Sequence, residues 1–282
     1  MSLSHIIGVD HVVVAVRDLD EAAKRWQALG FTVSPRGVHS PILGSANHTI
    51  MFGEDYVELL GILTATDQNR PTRDFLEGRE GIERVAFTTD DAAAGAAEIT
   101  AKGFPALGPI HFGRPVPLPG GGETEARFNV FRWPLERSPG SMRIFACQHL
   151  TREAVWVPSL LDHANGATRI VRIEVLAADP AAAAAELSTL IDQPATQGPD
   201  GWTVVSGGGR ADFLFYDAQT FARLHPAAIR EGAPSQGVTA LVLATKKPDQ
   251  AAAVAGAVAL GEGRSSVPAV LATGTIIAFV PA

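Results

Sequence analysis

A chain of 282 residues, 46% hydrophobic and 19% charged, can bury a sizeable core, either as one large domain or as two ordinary ones. Its formal net charge of −7 excludes a general nucleic-acid binder, which needs a basic stripe to displace counterions from phosphates. The lone Cys147 can form neither an internal disulfide nor a thiolate cluster, and no apolar run is long enough to span a bilayer. The expectation is a cytoplasmic protein, monomeric or homodimeric, whose partner is a small molecule rather than nucleic acid or membrane.

The β-branched, apolar run Gly8 to Val16 predicts a strand, and Asp18 or Asp20 can cap a following helix. Ala22, Trp26 and Leu29 form one apolar stripe at helical spacing, and Gly30 ends it. Two further strands are expected at Thr49 to Phe52 and Tyr56 to Ile62.

The same plan returns from Gly81: a strand to Phe87, caps at Asp90 and Asp91, a helix from Ala92 to Lys102, and an exit at Gly103. Asp18 and Gly30 follow His11 by seven and nineteen residues, and Asp91 and Gly103 follow Arg84 by the same seven and nineteen. Matching offsets with matching residue types mark an internal repeat. A third copy starts at Ile170, placing Arg172 opposite His11, with a helix from Pro180 and strands near Trp202 to Ser206 and Ala211 to Tyr216. A fourth, fainter copy starts at Gly237, placing Ala240 opposite His11, with a helix expected over Pro248 to Leu260 and a strand from Thr275 to Val280. Proline opens both helices in the first turn, where its missing N–H costs nothing.

The polar turn Asp162-His163-Ala164-Asn165-Gly166 is the best boundary, with two modules on either side. The expected organisation is a domain over 1–165 with modules 6–65 and 79–150 and a long inserted loop at 105–134, then a second two-module domain over 166–282.

His11 in the first strand, the Leu29-Gly30-Phe31 helix exit and Tyr56-Val57-Glu58-Leu59-Leu60 resemble the vicinal oxygen chelate superfamily, and within it the glyoxalase-like domain proteins. The resemblance covers about 6–165 by motif and the rest by module pattern. It implies an α+β fold of repeated βαβββ modules that form cupped mixed β-sheets with helices outside. It also implies a divalent metal, zinc, iron, manganese or nickel, bound by first-strand and fourth-strand residues of paired modules. Activities in such proteins range over lyases, isomerases and dioxygenases acting on small oxygenated metabolites. The alternative is a metal-free binding protein of the bleomycin-resistance kind.

Carried over position by position, the resemblance makes His11 and Glu58 metal ligands, with Glu58 alternatively a proton-transfer base. Arg84 stands where the second module's histidine would be, and a guanidinium has no lone pair to give a metal. Its expected role is to clamp an anionic group; the other reading pairs it with Glu83 or Glu58. Phe145 falls at the remaining glutamate position, and Arg172 and Ala240 make the second half's site degenerate. Asn47, His48, Arg84 and Gln148 are the expected substrate contacts, and His48, Gln148, His149 and Glu83 are candidate third ligands. His149 and His163 read as exposed or turn-bonding, Cys147 as a small buried hydrophobe, and Trp26 and Trp156 as packing residues.

Overall fold

The computed structural model describes residues 3–118 and 121–282. The first half contains β1 (Gly8–Val16), α1 (Leu19–Ala28), β2 (Gly37–Val38), β3 (Ser45–Met51), β4 (Tyr56–Ile62) and α2 (Arg70–Gly78). It continues with β5 (Gly81–Thr88), α3 (Ala92–Ala101), β6 (Leu107–Pro117), β7 (Glu123–Arg132) and β8 (Arg143–His149). The second half contains β9 (Ala167–Leu176), α4 (Pro180–Ile191), β10 (Ala195–Gly198), β11 (Gly201–Val204), β12 (Asp212–Tyr216), α5 (Ala218–Leu224) and α6 (Ala227–Arg230). Then follow β13 (Gly237–Thr245), α7 (Pro248–Ala252), β14 (Val258–Gly261), β15 (Arg264–Val267) and β16 (Ile276–Pro281).

The strands form two eight-stranded mixed sheets, ordered β2-β3-β4-β1-β5-β8-β7-β6 and β10-β11-β12-β9-β13-β16-β15-β14. Each sheet joins two βαβββ modules through their first strands, which run antiparallel, β1 against β5 and β9 against β13. Modules therefore pair within a half, and the α+β repeat expected from the sequence is present. The stretch read as an inserted loop is instead the β6–β7 hairpin, which completes the second module's sheet. The helix expected to reach Leu260 ends at Ala252; Gly256, at φ +78°, turns the chain into β14.

Packing follows the alternation of the strands. Residues on one face of β1, β5, β9 and β13, such as Val12, Val14, Val85, Ile173 and Leu241, join Trp26 of α1 and Leu187 of α4 in one core that runs through both halves. The opposite faces line two cups. The second cup is filled by its own side chains, including Leu214, Tyr216, Phe221, Ile229 and Ile276. The first cup opens into a cleft that encloses a cavity of about 140 Å³. No helix among the described residues is long and apolar enough to cross a membrane.

Candidate functional site

The site begins with a backbone irregularity. Val9 pairs with Phe87 and His11 with the next residue, Ala86, so Asp10 is an extra residue in β1, a β-bulge. A bulge lets two successive side chains serve one region, and the Asp10 carboxylate meets the His11 ring, Nδ1 to Oδ1 2.6 Å. The same irregularity recurs in all four modules. Glu83 is the extra residue in β5, Val171 in β9 and Thr239 in β13, each eight residues before its helix cap position. His11, Arg84, Arg172 and Ala240 are thus true structural equivalents.

Register places the partners. His11 lies beside Tyr56 and Arg84 beside Arg143, so Glu58 and Phe145, two residues further on, occupy matching positions. Glu58 is 8% exposed. Its Oε1 accepts from the Asn47 amide at 2.6 Å and lies 3.9 Å from His39 Nε2, while Oε2 lies 3.7 Å from His11 Nε2. The last two separations are too long for hydrogen bonds, so neither imidazole Nε2 is hydrogen-bonded to Glu58. Burial works to raise the Glu58 pKa, but His11, Arg84 and the Asn47 amide outweigh it and hold the carboxyl below its ordinary value. Burial also lowers the His39 pKa to about 4, so that ring is neutral at pH 7.

Asp10 is fully buried and accepts from His11, from His149 Nε2 at 2.9 Å and from Thr88 Oγ1 at 2.8 Å. Burial opposes its ionisation, yet His149 and His11 hold it well below the usual carboxylate range. An ionised Asp10 fixes the proton of His11 on Nδ1 and leaves Nε2 facing Glu58. The Tyr56 ring stacks on His11 at 4.2 Å, and Phe145 meets it edge-on at 5.4 Å.

Arg84 lines the cleft, but its charge is already engaged: Nη1 donates to Glu83 Oε2 and to Thr72 Oγ1, each at 3.1 Å. Arg143 shares the same buried Glu83. Of the two pairings open to Arg84, the one with Glu83 forms and the one with Glu58 does not. Asn47 faces the cleft. His48 turns away and bonds the Ser34 carbonyl at 2.7 Å. Gln148 also points elsewhere, bonding the Asp90 carbonyl at 2.6 Å and the Asn129 amide. Neither His48 nor Gln148 is among the residues that line the cleft. His149 and His163 are not exposed: His149 sits in the cup, and His163 is 1% exposed, accepting from Thr32 N and bonding the Met51 carbonyl. Sequence reasoning missed His39 and Arg114. It also missed Asp10, although an acid followed by a base at 10–11 and again at 83–84 was a readable signal.

His11 and Glu58 could contribute two donors to a divalent metal, but Arg84 and Phe145 supply none. His11 and His39 face different oxygens of Glu58 rather than converging. Two donors fall short of the three that catalytic zinc sites use, so the residues do not fit a complete centre. Asp10, Cys147 and His149 also lie close together. His149 Nε2 is engaged with Asp10 Oδ1, which His11 also uses, and burial keeps the Cys147 thiol protonated, with Asp10 and Glu58 adding to the effect.

A hypothetical protein from Staphylococcus aureus superposes with a TM-score of 0.70 at 12% identity, over 97% of this chain and 99% of that one. Methylmalonyl-CoA epimerase from Mycobacterium tuberculosis matches 55% of this chain and 96% of its own, at 18% identity and a TM-score of 0.41. The Streptomyces coelicolor epimerase, in complex with 2-nitronate-propionyl-CoA, matches 51% and 99%, at 22% identity and a TM-score of 0.39. No curated protein matches the chain. The profile of the glyoxalase-like domain matches residues 9–191, more than half of the sequence, and the chain belongs to that family.

Proposed function

We propose that the first cup is a proton-transfer site of the isomerase or lyase kind, acting on a small oxygenated metabolite, with Glu58 as the base. The observation that carries this reading is a buried carboxylate in the cleft with one oxygen held by Asn47 and the other 3.7 Å from His11 Nε2, outside hydrogen-bond range. From the cleft side a C–H beside a carbonyl gives its proton to Glu58 Oε2, the C–H electron pair forms the carbon–carbon double bond, and the carbonyl π pair moves onto oxygen as an enolate. The nearby guanidinium of Arg84 favours that developing charge. Where the deprotonated carbon carries a hydroxyl, transfer of that hydroxyl's proton to the former carbonyl oxygen and return of the abstracted proton to the former carbonyl carbon complete an isomerisation. Where the carbon on its other side carries a leaving group, departure of that group with its bonding pair completes an elimination. Asp10 keeps the His11 ring oriented throughout. No step in this scheme runs through a metal.

Solvent exchange tests it. Incubation with small α-hydroxyketones and 2-oxo acids in D₂O, followed by proton NMR, is expected to reveal deuterium incorporation at the carbon beside the carbonyl. Glu58→Gln should slow incorporation by about 10²–10⁴-fold while leaving ligand binding in place. Binding without exchange in the wild-type protein would instead favour a sequestering protein without catalysis. A stoichiometric divalent metal that survives purification and is lost in His11→Ala would restore the metal-dependent reading, dioxygenation included.

A further inference from the structure

Arg114 of β6 is 7% exposed and lines the same cleft, beside Glu58 and Tyr56. Among the described residues, no carboxylate lies within 4.0 Å of its guanidinium. Its one hydrogen bond is a long one, Nη1 to the Pro115 carbonyl at 3.5 Å. Of the other arginines of the cleft, Arg84 and Arg143 share Glu83, Arg132 bonds the Gln68 amide oxygen at 3.3 Å, and Arg137 is solvent-exposed with its guanidinium over the Phe104 ring. A buried guanidinium offers five N–H donors and a full charge, and leaving it without a counter-charge is unfavourable. Burial accordingly presses the Arg114 pKa down, with Glu58 only partly opposing it.

The fold also makes room for this side chain. A Cβ on Gly37 would overlap the Arg114 guanidinium and the Asn47 amide oxygen, so β2 carries its only glycine where Arg114 passes. Above the polar floor the lining turns apolar at Leu43, Ile62 and Leu135.

We propose that Arg114 anchors a carboxylate of the ligand, which makes this cup a receptor for small organic acids carrying an apolar tail. A guanidinium fork matches a carboxylate bidentately. The neighbouring Glu58 charge favours a monoanion over the dianion of a phosphate ester. The proposal rests on the first cup being a ligand site, but not on Glu58 acting as its base.

The test is calorimetric titration of wild-type protein and Arg114→Gln with a series of short-chain 2-hydroxy and 2-oxo carboxylates, their neutral 1,2-diol counterparts and the matching alkyl phosphates. At least one carboxylate should bind, with the diols about tenfold or more weaker, and Arg114→Gln should lose about tenfold or more of that affinity. Arg114→Gln should also melt no lower than the wild type without ligand, since it removes an uncompensated buried charge. Carboxylate affinity unchanged in the variant, alkyl phosphates preferred to carboxylates, or no carboxylate bound at all would each overturn the proposal. Glu58→Gln run alongside separates the two readings: it should bind the same carboxylates while failing to exchange deuterium.

Discussion

Asp10 is where the site is most sensitive to a single side chain. It is fully buried and the acceptor for His11, His149 and Thr88 at once, so removing it leaves those donors without their acceptor. Asp10→Ala is expected to cost roughly 3–5 kcal/mol in urea denaturation, and Asp10→Asn distinctly less because one acceptor remains. His11 and Glu58 were legible through the family resemblance and Arg84 through the repeat offsets that align it with His11, whereas Asn47 was named only together with His48, since alternation alone did not say which of the two faces the cup. Arg114 and His39 were not. Arg114 arrives from a hairpin whose facing depends on register, and His39 follows a two-residue strand that leaves no periodic trace. Arg84 was seen, yet its engagement with Glu83 was not fixed by sequence, since the choice between two acids depends on the bulge that turns Glu83 inward.

The modules differ mainly in how their elements begin and end. Asp18, Asp91 and Asp179 each accept from a backbone N–H in the first turn of α1, α3 and α4, whereas Lys247 gives α7 no side-chain cap. Asp91→Ala should therefore lower stability by about 1 kcal/mol in thermal or chemical melts, and Lys247→Ala should leave the cap energy of α7 unchanged. The strands β1 and β4 fall where the sequence placed them, because β-branched runs on a half-buried surface speak clearly. The hairpin β6–β7 was hidden by Pro109, Pro115 and Pro117. Prolines argue against a central strand, but β6 is the edge of its sheet, where a missing N–H has no ladder to break. The short helices α5 and α6 close the second cup, and in sequence their few apolar positions could not be told from a loop.

At the scale of the whole molecule, the halves are held by more than the chain that joins them. The turn before β4 docks on β9, where Asp55 Oδ1 accepts from Ile170 N at 3.0 Å. Burial raises the Asp55 pKa from 3.8 to about 7, with the Ile170 bond only partly opposing it. A folded-state pKa above the unfolded one gives stability that is complete below the unfolded value and lost as pH rises through the folded one. The wild type should therefore lose, relative to Asp55→Asn, on the order of 2–4 kcal/mol between about pH 4 and pH 8, measured as the difference in unfolding free energy across that range. The repeat was readable from offsets alone, but which modules pair was not, because offsets report similarity and say nothing of adjacency. Trp26 and Trp133 mark that adjacency. Both are at most 1% exposed, and each indole N–H crosses to the second half, Trp26 to Thr273 Oγ1 at 3.1 Å and Trp133 to the Leu190 carbonyl at 3.2 Å. Two of the four tryptophans are thus built into the seam, and their blue-shifted emission would redden as the halves part, giving an optical signal for undocking that is distinct from fraying at the mouth of the cleft.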